Sequence, residues 1–154
     1  MNSRNFQIIL QGHSSSSHIP SESKIRSWTN HISNQCLNKS VTIRIVDELE
    51  SKEINMRFRN IDKPTNILAF PSSDLPYIEL DEPLSLGDLV VCAPLLEKEA
   101  LEQEKELESH WAHILIHGIL HLIGYNHEDS SAANIMEDLE IQVLKKIGIS
   151  NPYL

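Results

Sequence analysis

Cysteine is nearly missing from this chain, with two among 154 residues, Cys36 and Cys92. They form no CxxC pair, so the sequence predicts free thiols packed as small hydrophobes rather than disulfide partners or metal ligands. Long apolar runs are missing as well. No stretch approaches the ~20 residues of a membrane span, so no membrane partner is expected. The opening MNSRNFQIILQGH has too short an apolar run for a signal-peptide core, and with nothing to export the chain the expected location is cytoplasmic. Positive charge is scarce: 13 Lys and Arg stand against 22 Asp and Glu, a net charge of −9. That balance excludes coating of nucleic acid by bulk attraction, though not a local basic groove. No internal repeat and no second domain can be read.

What is present predicts one domain, residues 1–154, long enough to bury roughly 70% of its unfolded surface in a single core. Asn5–Leu10 reads as a strand, followed by a serine-rich loop. Ser21–Leu37 carries Ile25, Trp28, Ile32 and Leu37 at near-helical spacing. Ser40–Asp47 alternates as a half-buried strand, and Asp47 is placed to cap a helix reaching about Phe58. Pro64 and Pro71 bracket a third strand, TNILAF, and Leu86–Ala93 reads as a fourth. Pro94 suits the first turn of a helix, and strong helix formers continue to about Gly124, with a break expected near Ser109. Ala132–Ile147 closes the chain as a helix with Ile135, Leu139, Val143 and Ile147 inward. The fold class is α+β, close to α/β, a single domain with a small mixed sheet of about four strands packed with helices.

One stretch carries chemistry. HILIHGILHLIGYNH, residues 113–127, is apolar enough to be buried, yet it contains four histidines. At ~100° per residue, His110, His113, His117 and His121 fall in a stripe of roughly 80° on an otherwise apolar helix. His117 and His121 are i and i+4, able to share one ion, and Gly124 permits a sharp exit that returns His127 to the same point. The spacing H-x3-H-x2-G-x2-H matches the metzincin zinc pattern at every ligand and at the glycine. Three neutral imidazoles leave a fourth tetrahedral position for water, the open arrangement of catalytic zinc, where a bound cation lowers the water's pKa to ~7. The metzincin general-base glutamate is here Gly118, which offers neither base nor charge. His110 and His113 fit packing or hydrogen bonding beside the site rather than ligation. His13, His18 and His31 read as surface residues, and the acidic run Glu97–Glu108 with Glu137, Asp138 and Glu140 as solvated outer faces.

Residues 117–127, HGILHLIGYNH, resemble the signature H-G-x-L-H-L-x-G-Y-D-H of the YbeY family of bacterial endoribonucleases and rRNA maturation factors. NMRFRNIDKPTNILAFP (55–71) is similar to the family's N-x-x-[YF]-R-x-x-D-x-P-T-D-V-L-S-F-P. LGDLVV (86–91), PLLEKEA (94–100) and NPY (151–153) fit too. Two family aspartates are here Asn66 and Asn126. The resemblance implies one zinc-type ion per chain, or another divalent metal, on His117, His121 and His127. It implies hydrolytic cleavage of single-stranded RNA in rRNA maturation and ribosome quality control, with rRNA and the ribosome as partners and no DNA. Arg59 is implied as a catalytic residue alongside His117 and His121; a guanidinium fork suits the negative charge that accumulates on a phosphate during cleavage. Arg44, Arg57 and Lys63 are expected to join Arg59 in a positive groove. Two rival readings are a zincin-like metalloprotease lacking the usual glutamate base, and a ribosome assembly factor whose metal is structural.

Overall fold

The computed structural model describes residues 6–32, 39–72 and 84–154. Among these the chain forms four strands and five helices. In order they are β1 (Gln7–Gly12), α1 (Glu22–Thr29), β2 (Lys39–Val46), α2 (Glu48–Arg59), β3 (Ile67–Pro71), β4 (Leu84–Cys92), α3 (Ala93–Glu102), α4 (Leu107–Ile123) and α5 (Ser130–Lys146). The sheet runs β1-β2-β4-β3. β1 and β4 each pair parallel with β2, and β3 pairs antiparallel with β4, so the sheet is mixed, as expected. β3 lies at the sheet's edge, where Pro71, which has no N–H to give, is tolerated.

Strand alternation sorts side chains onto two faces. Val41, Ile43, Ile45, Leu89 and Val91 turn toward one large core, where α4 contributes Trp111, Leu115, Ile116 and Ile119. Burying each such side chain contributes about 1.5–3 kcal/mol. Val46, Leu68, Val90 and Cys92 face the other way into a smaller cluster against which Ile54 and Phe70 pack. Cys92 is a buried free thiol, as its apolar neighbours predict; Cys36 and Leu37 lie outside the described residues. α4 is therefore the central helix, packed on β3 and β4 and flanked by α1, α3 and α5.

Several expectations shift. α1 begins where its Ser21 side chain accepts from Lys24 N, and it stops at Thr29. Asp47 stands at the start of α2 but makes no side-chain cap there. Its carboxylate instead accepts from the Ser14 hydroxyl and from Ser15 N at 3.1 and 3.2 Å, so the serine loop is tied to the sheet. The Ser14 bond, the main cause, holds the Asp47 carboxyl below its usual range. The helical run from Pro94 breaks at residues 103–106, not at Ser109, which lies inside α4. Glu104 there adopts a left-handed backbone (φ +55°), and neither glycine nor proline marks the place. In α5 the inward stripe is Met136, Glu140, Val143 and Leu144, while Ile135 is exposed.

Candidate metal centre

His117 and His121 project from adjacent turns of α4. The helix ends at Ile123 because Gly124 takes a positive φ of +124°, a conformation that glycine adopts freely. The amides of Gly124 and Tyr125 both return to Leu120 O, at 3.2 and 3.0 Å. The chain doubles back, and the His127 ring stacks on that of His117 with centroids 5.6 Å apart and planes at 23°. His121 meets them edge-on, at 4.7 Å from His117 and 5.0 Å from His127. One ring nitrogen from each histidine lies within 4.8 Å of the other two. Nitrogens around a tetrahedral zinc stand roughly 3.4 Å apart, so small side-chain adjustments suffice and the donor set fits a divalent ion.

Behind this trio sits a residue that the sequence reading assigned to a solvated face. Glu140 on α5 is fully buried, at 0% exposure. Its Oε1 accepts from His117 Nδ1, and its Oε2 accepts from the Tyr153 hydroxyl and, at 3.3 Å, from His113 Nε2. Burial alone would raise the Glu140 carboxyl, but these three donors hold it down to about 2. The carboxylate is thus anionic, and it fixes the His117 tautomer: with Nδ1 carrying the proton, the free lone pair is on Nε2. Burial, and after it the neighbouring His117 and His127, lower His121 to about 4. His121 is neutral at ordinary pH, which is the ligating form. Tyr153 is raised well above its usual value, by burial first and then by Glu140.

A second carboxylate is half-buried. Glu99, expected on an outer face, is held at 2.8 Å by His110 Nε2 and at 3.2 Å on each oxygen by Asn66 Nδ2. Burial pushes its carboxyl up, but these bonds leave it lowered overall. Asn66 has a donor's task here that an aspartate could not perform. Asn126, by contrast, turns its Oδ1 to the backbone N of Glu128, and Asp129 caps α5 through Ala132 N. Neither Asn126 nor Asp129 bonds a histidine of the trio. His110 and His113 serve as hydrogen-bonding supports, while His13, His18 and His31 are exposed.

The trio opens onto a cavity of about 500 Å³ whose wall includes Arg59, Phe58, Asn66 and Phe70. Of the four basic residues expected to form a groove, Arg59 alone lines it. Arg44 is paired with Glu50 at 2.6 Å, and the Arg57 guanidinium lies 5.5 Å over the Phe58 ring. No carboxylate lines this cavity among the described residues. At Gly118 a Cβ would stand 2.6 Å from Ile67 Cδ1 and 2.9 Å from Leu89 Cδ2. The glycine is therefore what lets α4 lie close on the sheet.

Fold and site together define a class: a small α+β domain in which the central buried helix and the turn that follows it bring together three histidines that could hold a divalent ion on the wall of an open cavity. The family model of endoribonuclease YbeY matches residues 10–148. The chain belongs to this family of hydrolytic endoribonucleases of rRNA processing. The solution structure of TM1509 from Thermotoga maritima is similar, with a TM-score of 0.57 and 26% identity over 92% of this chain and 91% of that one.

Proposed function

We propose that this protein is a metal-dependent, single-strand-specific endoribonuclease acting on rRNA in the cytoplasm, in ribosome maturation and quality control. A divalent ion, with zinc favoured by the all-imidazole donor set, would be held by His117, His121 and His127. When bound, it would activate water and polarise the phosphate. The chain's own residues do the rest. Glu140 keeps the proton of His117 on Nδ1, and burial keeps His121 neutral. Arg59, on the cavity wall, faces the charge that builds on the phosphate oxygens, where a guanidinium fork can pair with two of them. Ribosomal proteins or rRNA would bring the substrate to this wall.

The convergence of three histidines carries this reading. The peptidase alternative is weakened by Gly118, packed where a general-base glutamate has no room, and by a cavity wall free of carboxylates among the described residues. The test is metal analysis together with cleavage of single-stranded RNA by wild type and His121→Ala. Wild type should hold one ion per chain and cut RNA; the variant should do neither while keeping its far-UV dichroism. A variant that unfolds on metal loss would instead favour an assembly factor with a structural ion.

A further inference from the structure

Phe58 stands at a position that packing does not explain. It occupies the last turn of α2 and is 59% exposed. Of the large apolar side chains left exposed among the described residues, it alone lines the cavity of the histidine trio. Phe70 braces it edge-on, with centroids 5.1 Å apart and planes at 68°. Phe70 itself is anchored on the small cluster of Val46, Leu68, Val90 and Cys92. The Phe58 ring is thus held from one edge. The Arg57 guanidinium lies over its face, 5.5 Å from the centroid, and Arg59, the next residue, is on the same cavity wall. An exposed ring with one guanidinium over a face and a second on the same cavity wall suits a nucleobase and its adjoining phosphate: bases stack on rings and on guanidinium planes, and their phosphates pair with the charge.

We propose that Phe58 is the stacking platform for one unpaired base of the RNA, adjoining the phosphate that Arg59 contacts. This rests on the endoribonuclease reading and deepens it. It also supplies a physical origin for strand selectivity. A base inside a duplex has both faces covered by its neighbours and cannot present one to the ring, whereas a single strand can turn a base out at little cost. Phe58 could instead serve only as a lid over Phe70 and the cluster beneath. Leucine would keep that cover but has no π-face.

The experiment uses metal-loaded, full-length protein with a single-stranded RNA oligonucleotide and measures initial rates, melting and fluorescence. Phe58→Leu should raise KM about ten-fold, the order expected from losing one base–aromatic stack, with kcat within about two-fold. Phe58→Trp should keep KM near wild type, and its emission should be quenched by RNA. Trp28 and Trp111 are 7% and 1% exposed and out of reach of RNA, so a change in emission that wild type lacks comes from the new ring. An unchanged KM in Phe58→Leu, or emission of Phe58→Trp that saturating RNA leaves untouched, overturns the platform. If wild type cuts no RNA, the enzymatic reading fails separately and the fluorescence arm decides alone: quenching upholds the platform, and its absence overturns it.

Discussion

Glu140 shows what one residue can hold together. Glu140→Gln keeps its shape but removes the charge and one of the two acceptor atoms, so His117 loses the anion that holds its proton on Nδ1. Losing such a partner typically costs 10–100-fold in metal affinity, and about that loss should appear in a competition titration against a chelator. Titration follows from the same groups. Folded His121 takes a proton only near pH 4, whereas the unfolded chain takes it near 6.5. Folded Glu140 takes one near 2, against 4.5. In both windows the unfolded chain binds more protons, so stability falls as pH falls. The melting temperature of metal-free protein should therefore decline from pH 6.5 to 4 and again below 4.5, and His121→Ala should flatten the first decline. The convergence of the three histidines was legible because helical period and a glycine exit are local signals. Glu140 was not, since Ile135, Leu139 and Ile147 suggested a stripe that left it outside. The usable clue was its place four residues after Met136 and four before Leu144.

At the scale of elements, α4 is specified by its glycines as much as by its apolar face. Gly124→Ala must adopt φ +124° with a side chain, at a cost of about 1 kcal/mol or more. The expected outcome is a melting temperature lowered by a few degrees and weakened metal binding, because His127 hangs from that turn. Retained affinity in the titration would show that His127 reaches the trio by another route. Strand and helix identities were readable from alternation, proline and helix-forming composition. The position of the break between α3 and α4 was not, because every residue from Gln103 to Glu106 is at home in a helix and only the backbone of Glu104 departs from it. Asp47 was read as a cap because its position fits one; a partner 33 residues earlier, Ser14, holds its carboxylate instead.

Over the whole molecule, a net charge of −9 leaves little long-range attraction for RNA. Binding should be short-ranged and only mildly salt-sensitive. Arg59→Ala should lower the slope of log affinity against log salt by about one, whereas a substitution at Arg44, already paired with Glu50, should barely change it. Equal slopes for wild type and Arg59→Ala in filter-binding titrations would remove Arg59 from the phosphate contacts. The mixed sheet was foreseeable in kind, but its order was not: β4 inserts between β2 and β3 through pairings far apart in sequence, which local patterns do not encode.

The histidine trio comes from one short stretch, 117–127, whereas Arg59 and Phe58 arrive from the distant end of α2. Under the proposed function, holding an ion and recognising RNA would thereby be written in separate parts of the gene. On that reading, substitutions at Phe58 would retarget the protein to other strands while the histidine trio is inherited intact.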